Sequence, residues 1–292
     1  MGRRGLGEKP TTCLIFLLGF GIIFTFCLHA ALLLGGSILK NMMCCLILLL
    51  ASVGISLSQN FTVADSGTFK QKDGSLRKVF LVQDSTKRMI LFQTNLQVNT
   101  DGTPMSYHPF DLRGDSVALN RIDNAIVVYR SDKKTARSSQ AISVFEKWRD
   151  SDYEVIPDGY SIVWKNVLFP ETINGKEKPC IFKTGKYKGY YSSATSLQNG
   201  LTSHKGECDC NNQTNPLEIP GLVLAGGNSN IVRKFGAKIG DLVIAYNPDK
   251  KKIVYAIIND SGPPDNLGEG SVSLNMKLLD KTEYPQKRKD TL

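Results

Sequence analysis

The chain has 292 residues, of which 41% are hydrophobic and 22% charged, and its formal net charge is +9. This balance excludes a disordered chain and leaves enough apolar residues for a sizeable core. The lysines are scattered and form no stripe with aromatic residues, so the positive charge does not predict a nucleic-acid-binding protein.

The first 58 residues differ from the rest of the chain because they are strongly apolar. One uncharged run covers 13–39 and a second covers 42–55. The first run is long enough to span a bilayer. We interpret 1–58 as an N-terminal hydrophobic targeting region, and we expect contact with a membrane only through this region.

The second apolar run has the parts of a secretory signal peptide. Lys40 supplies a positive start, and Ser56 and Ser58 put small residues where a signal peptidase reads the chain. The sequence therefore predicts a signal peptide over 42–58, with an upstream extension, and a mature chain that begins at Gln59. The alternative is that the region stays uncleaved as a membrane anchor. In both cases the rest of the chain is expected to be secreted or extracytoplasmic.

The remainder of the chain is dominated by short β-strand patterns. These runs are rich in β-branched and aromatic residues and are separated by Gly, Pro, Asn or Asp. Helical spacing is restricted to 141–148 and 272–279, and Ser271 is placed to cap the second helix. We expect a mainly β fold with a compact barrel-like or sandwich core, long loops and a few short helices. The predicted strands are 78–83, 88–94, 124–130, 159–164, 221–225, 241–247 and 252–258.

Turn residues and composition set the expected organisation of this part. A turn at Pro248 joins two predicted strands, which indicates a hairpin over 241–258. The polar stretch 190–216 is expected to be one long surface loop. We assign 59–282 to a single folded domain and 283–292 to a basic tail.

Three cysteines lie outside the N-terminal region, at Cys180, Cys208 and Cys210. One disulfide is expected, from Cys180 to either Cys208 or Cys210, with the remaining cysteine free. His204 is nearby, but a C-x-C pair with one histidine lacks the paired spacing of a structural zinc site. We therefore predict no metal site.

The loop NDSGPPDNLGEGS, at 259–271, carries two carboxylates between a predicted strand and a predicted helix. Hydrolysis of a glycosidic bond needs one carboxyl group as acid and a second as base or nucleophile. Asp260 and Glu269 are candidates for this pair. An Asp and a Glu nine residues apart are more often solvated turn residues, so the spacing alone is weak support.

The segment VYAIINDSGPPDNLGEGSVSL resembles the signature of fungal-type chitosanases, glycoside hydrolase family 75. In that family a hydrophobic strand ends in Asp, and the second essential carboxylate follows in G-E-(G/A)-S. The resemblance implies that Asp260 and Glu269 are the catalytic residues of a chitosanase-like domain, which acts within the polymer and inverts the anomeric configuration. It extends more loosely to 88–280.

The chain departs from this family in an upstream segment. Where the family has D-x-D-x-D-G, this sequence has Gln97, Asn99 and Asp101, so only Asp101 keeps its charge. Chitosan is cationic, and a cleft with fewer carboxylates attracts it less strongly. We expect Asp101, Asn99 and Asp111 to bind substrate.

The predicted function is cleavage of β-1,4 bonds in chitosan or a related amino-sugar polysaccharide by two carboxylates, without a cofactor. The apolar strand before Asp260 favours this residue as the acid, because burial raises the pKa of a carboxyl group. Two alternatives stay open. One is a non-catalytic cell-wall polysaccharide-binding protein, and the other is a hydrolase of another polymer such as peptidoglycan.

Overall fold

The computed structural model of the protein describes the backbone of residues 12–18, and then residues 61–165, 167–168, 170–193, 195–197, 208 and 214–291. Within these residues, no helix has both the length and the apolar character needed to cross a membrane. The predicted cleavage position before Gln59 and the predicted signal peptide at 42–58 lie outside the described residues, so both stay predictions.

Strands outnumber helices along the described chain, which confirms the mainly β class. The helices are α1 (Ser138–Asp150), α2 (Ile231–Lys234) and α3 (Val272–Leu279), with short 3₁₀ turns at Ile122–Asn124 and Arg288–Thr291. The strands are β1 (Thr12–Leu18), β2 (Thr62–Lys70), β3 (Leu76–Gln83), β4 (Arg88–Asn95), β5 (Gln97–Asn99), β6 (Ile126–Arg130), β7 (Tyr160–Trp164), β8 (Pro170–Ile173), β9 (Lys176–Pro179), β10 (Gly221–Ala225), β11 (Leu242–Asn247), β12 (Lys252–Gly262) and β13 (Glu269–Ser271).

The main sheet has the strand order β2-β3-β4-β1-β11-β12-β10-β13-β5 and curls into a half-barrel. The remaining strands form two separate two-stranded sheets, β6-β7 and β8-β9. Every strand predicted from the sequence is present. Strands β2, β5, β8, β9 and β13 are additional, since they are short, polar or exposed and lack a clear alternating pattern.

Strand β1 lies inside the sheet, antiparallel to β4 on one side and to β11 on the other. It belongs to the region 1–58 that the sequence assigned to targeting. The structure therefore pairs these seven residues with the folded domain. Seven mostly apolar residues, all but the first of which belong to the longer run 13–39, suit a strand as well as a targeting segment, and periodicity does not separate the two.

The predicted hairpin over 241–258 is confirmed by the antiparallel pairing of β11 with β12. In its turn, the side-chain oxygen of Asn247 accepts the backbone N–H of Asp249 at 3.0 Å. Helix α3 begins where the sequence indicated, because Ser271 Oγ accepts the N–H of Leu274 at 3.1 Å. These two elements frame the segment that carries the candidate carboxylates.

Two main clusters of buried apolar residues hold the molecule together. One packs the inner face of the sheet, including Phe92 and Ile258, against α2 and α3. The other packs α1 against β6 and β7, with Phe145 and Trp148 at its centre. This packing holds the main sheet in place, and the sheet in turn positions the polar residues at the ends of its strands.

The disulfide joins Cys180 to Cys208, one of the two pairings that the sequence allowed. Cys180 is fully buried. The predicted long surface loop is correct only in part, because Ser193 and Thr195 at its start are buried. This buried segment lies next to the end of β12, because the N–H of Leu197 donates to the carbonyl of Asn259.

Candidate active site

Asp260 and Glu269 lie on two strands that flank β10. Asp260 is part of β12 and pairs with Val223 of β10. On the other side of β10, Leu222 pairs with Gly270, so one step along this antiparallel register places Glu269 beside Val223 as well. Two strand spacings separate the backbones of Asp260 and Glu269, which is about 10 Å. Residues in one such row point their side chains to the same face of a sheet.

The sequence placed Asp260 just after a strand and Glu269 just before a helix. In the structure, β12 continues to Gly262, so Asp260 lies within the strand. Glu269 begins β13, and α3 starts three residues later. The pairing of β12 with β10 extends this strand beyond its apolar part, because backbone hydrogen bonds do not require apolar side chains. The extension fixes the direction of the Asp260 side chain.

Gly262 makes room for the carboxylate of Glu269. A Cβ at this glycine would lie 2.8 Å from Glu269 Oε2 and 2.8 Å from Val223 Cγ1. Gly262 is two residues after Asp260 on the same strand, and that step is about 7 Å along the sheet face. The Glu269 carboxylate therefore lies over the face that also carries Asp260. This arrangement is compatible with the separation of about 6.5–9.5 Å that an inverting glycosidase uses.

Asp260 is held by a segment that is distant in sequence. Its Oδ1 accepts hydrogen bonds from the N–H of Ser196 at 3.0 Å, from Ser196 Oγ at 2.8 Å and from the N–H of Ser261 at 2.8 Å. Burial nevertheless raises the pKa of Asp260 to about 6, and the negative charge of Asp101 adds to the increase. Asp260 can therefore hold a proton in mildly acidic solution.

Glu269 is held by amide side chains. Asn266 Nδ2 donates to Glu269 Oε1 at 2.7 Å and also contacts Gln97 Oε1 at 3.1 Å. Burial raises the pKa of Glu269, and the negative charges of Asp101 and Asp260 raise it further, against the hydrogen bond from Asn266. The three carboxyl groups thus interact electrostatically, and ionising one disfavours ionisation of the others.

Asp101 is the third member of this group. Its Oδ1 accepts hydrogen bonds from the Tyr107 hydroxyl and from Asn120 Nδ2, the latter at 2.8 Å. Burial raises the pKa of Asp101, although the bonds from Tyr107 and Asn120 act in the opposite direction. With its oxygen engaged in this way, Asp101 is oriented by the protein rather than free to rotate.

Gln97 and Asn99 reach the site through β5. This strand runs parallel to β13, with Gln97 opposite Glu269 and Asn99 opposite Ser271. Residues two apart on a strand point to the same face, so Gln97 and Asn99 are on the face that carries Glu269. Asn99 also donates a hydrogen bond that lowers the pKa of Glu269. The structure therefore brings Asn99 and Asp101, both predicted from the sequence, to the candidate pair Asp260 and Glu269.

Asp111 is bonded to the backbone of its own loop. Both of its oxygens accept backbone N–H groups of residues 115–118 at 2.7–2.9 Å. Asp111 is 8% exposed, and burial acts to raise its pKa, but these N–H groups outweigh burial and lower the pKa. These contacts organise the loop, and none of them involves Asp260 or Glu269. A role of Asp111 in binding substrate stays a prediction.

Ser196 is a site residue that the sequence did not indicate. The backbone N–H of Leu197 donates to the carbonyl of Asn259 at 2.9 Å, which aligns 195–197 with the end of β12. In the same segment, Ser193 Oγ accepts the N–H of Gly102 at 2.8 Å, next to Asp101. Ser193 and Ser196 therefore contact the backbone next to Asp101 and the side chain of Asp260, respectively. Ser and Thr residues are common in ordinary loops, so the sequence did not indicate that this segment belongs to the site.

The chemistry available here is proton transfer by carboxyl groups. Burial keeps one carboxyl protonated at mildly acidic pH, and a second carboxylate on the same face can activate water. Across the part of the chain that the structure describes, no cluster of three or more His, Cys, Asp or Glu side chains has the arrangement needed for a metal ion.

Comparison with known proteins does not place the chain in a family. No protein-family model matches the sequence, and no curated protein matches it as a relative.

Proposed function

We propose that this protein is a glycoside hydrolase that cleaves β-1,4 bonds of chitosan or a related amino-sugar polysaccharide. The similarity of the segment 254–274 to the signature of fungal-type chitosanases first suggested this function. The observation that carries it is the shared face of Asp260 and Glu269 on either side of β10. The proposal includes an exported protein, attached to a membrane only if its N-terminal region is retained.

Asp260 is the general acid in this proposal. A general acid must be protonated when the substrate binds, and the raised pKa of Asp260, about 6, meets that need in mildly acidic solution. Its proton goes to the glycosidic oxygen as the bond to the sugar breaks. Ser196 keeps the carboxyl group in place by donating to Oδ1.

Glu269 is the general base. It removes a proton from a water molecule that attacks the anomeric carbon from the opposite side, so the configuration inverts. Asn266 and Asn99 orient its carboxylate. Burial raises the pKa of both Asp260 and Glu269, and Asp101 raises both pKa values further when it is ionised. Asp101 and Asn99 are proposed to contact the sugar chain.

The direct test is the release of reducing ends from chitosan, partly acetylated chitosan, peptidoglycan and cellulose by the full chain. Hydrolysis of an amino-sugar polymer with inversion, measured by NMR of the first product, would support the proposal. Binding of these polymers without any hydrolysis would instead indicate the alternative, a non-catalytic cell-wall polysaccharide-binding protein.

A further inference from the structure

A polar pocket of about 270 Å³ lies next to the candidate active site. It is formed between the turn that joins β2 to β3 and the link from β4 to β5. Its floor is fixed by Gln71, whose side chain bonds both the N–H and the carbonyl of Leu267 at 2.9 Å. The side chains that line the pocket include Lys72, Asp73, Arg77, Gln97 and Asn266.

The pocket and the active site share two side chains. Gln97 and Asn266 line the pocket, and Asn266 Nδ2 also donates to Glu269 Oε1 at 2.7 Å. A group in the pocket is therefore one side chain away from the proposed base. Gln97 is opposite Glu269 on the neighbouring strand, about 5 Å away between backbones, so the pocket is within reach of a sugar that binds at Glu269.

The pocket offers positive charge. Lys72 and Arg77 contribute two cations, while Asp73 contributes one negative charge, which accepts the N–H of Ser75 at 2.9 Å and is also attracted to Arg77. A carboxylate is a strong hydrogen-bond acceptor for ammonium and guanidinium groups, so an anionic ligand suits this excess of positive charge.

The wall shared with the active site is uncharged. It is formed by Gln97 and Asn266, so neutral amides lie beside the two cations. Ammonium groups of chitosan gain little there. A carboxylate on the sugar gains charge-assisted hydrogen bonds.

We propose that this pocket is a subsite for a carboxylate substituent of a β-1,4-linked amino-sugar polymer. The substrate of the proposed hydrolase is then an acidic polymer of this class, with the glycan strand of peptidoglycan as the type, and not fully deacetylated chitosan. This inference rests on the proposed function for the identity of the sugar chain. Its binding chemistry does not depend on catalysis.

The experiment measures binding by calorimetry to the full chain carrying Asp260→Asn, so that hydrolysis does not consume the ligand. Three hexasaccharides with the same linkage serve as probes. One is deacetylated and cationic, one is fully N-acetylated and neutral, and one alternates N-acetylglucosamine with N-acetylmuramic acid and is anionic. The anionic probe should bind at least about tenfold more tightly than the neutral one, with a preference that weakens as salt is added.

The variant Lys72→Gln/Arg77→Gln should remove this preference and leave affinity for the neutral probe within about twofold, because only the charged contacts are lost. The matched control is Lys250→Gln/Lys251→Gln, in the turn between β11 and β12, which removes the same net charge and should keep the preference. Lys72→Gln alone changes an exposed side chain and should lower the preference partially without affecting folding.

Equal affinity of the parent for neutral and anionic probes would overturn the inference. So would equal losses in the pocket variant and its control, since a general charge effect would then explain the preference. A preference that depends on Lys72 and Arg77 in a protein that hydrolyses none of the polymers would support the subsite and contradict the proposed hydrolase. Hydrolysis of an amino-sugar polymer without a preference for the anionic probe would support the proposed hydrolase and contradict the subsite.

Discussion

Asp260 and Glu269 lie on the two strands that flank β10, at the same level of the sheet, with Val223 between them. Nine positions separate them in sequence, and the loop between them contains two prolines and Gly262 and Gly268. The sheet sets their relationship, because each residue is fixed by backbone pairing and the loop only has to connect them.

Asp260→Asn and Glu269→Gln should each reduce hydrolysis of the best polymer by roughly 10²–10⁴-fold, which is the usual contribution of a general acid or base. Initial rates of reducing-end release would measure this. Asp265→Asn, in the same loop, is the matched control and should retain most activity. Parental rates in both site variants would rule out the paired-carboxylate mechanism.

The activity should fall as the pH rises through about 6, because Asp260 then loses the proton that the proposed mechanism requires it to donate. A profile of kcat/KM from pH 4 to 8 would show this limb. Asp101→Asn removes a negative charge that raises the pKa values of Asp260 and Glu269, so the limb should move to lower pH. A limb that stays in place in this variant would mean that Asp101 is not coupled to the acid.

The folded-state pKa of Asp260, about 6, is higher than the ordinary value of 3.8. Between these values the folded chain binds more protons than the unfolded chain, so the free energy of unfolding falls as the pH rises through this window. Asp260→Asn should therefore be more stable than the parent at pH 7, by up to about 3 kcal/mol, and the difference should shrink towards pH 4. Urea unfolding at the two pH values tests this, and a less stable variant at pH 7 would contradict the burial of the charge.

Gly268 should be required for the position of Glu269. Its φ is +109°, and a Cβ there would lie 2.4 Å from the carbonyl oxygen of Asn95. Gly268→Ala should cost about 2 kcal/mol or more and lower activity, since the residue next to Glu269 must move. Gly175→Ala, in the turn between β8 and β9, is the control, because Gly175 also has a positive φ, +76°, but open space around it. It should cost about 1 kcal/mol and leave activity unchanged.

The disulfide between Cys180 and Cys208 closes a loop with a sequence separation of 28. The chain-entropy relation gives a stabilisation of about 3–4 kcal/mol for such a loop. Cys208→Ser should lose this amount in a non-reducing unfolding experiment, while Cys210→Ser should change little. An equal loss in Cys210→Ser would show that the other pairing exists in solution.

The elements with clear apolar alternation were predictable from the sequence. The strands β11 and β12, their turn at Asn247, and the cap of α3 at Ser271 all depend on residues close to one another in the chain. Local preferences decide such features. The apolar run at 13–39 was ambiguous, because the sequence indicated targeting whereas β1 pairs with β4 and β11.

The sequence by itself determined the mainly β class and the two candidate carboxylates, since strand alternation and a recognisable motif are local properties. Only the tertiary structure decided that Asp101 and Asn99 interact with Glu269 and that Asp111 is bonded to its own loop. It also decided that Ser196 holds Asp260. The physical reason is that these contacts depend on strand register and on burial, and both arise from pairing between segments far apart in the chain.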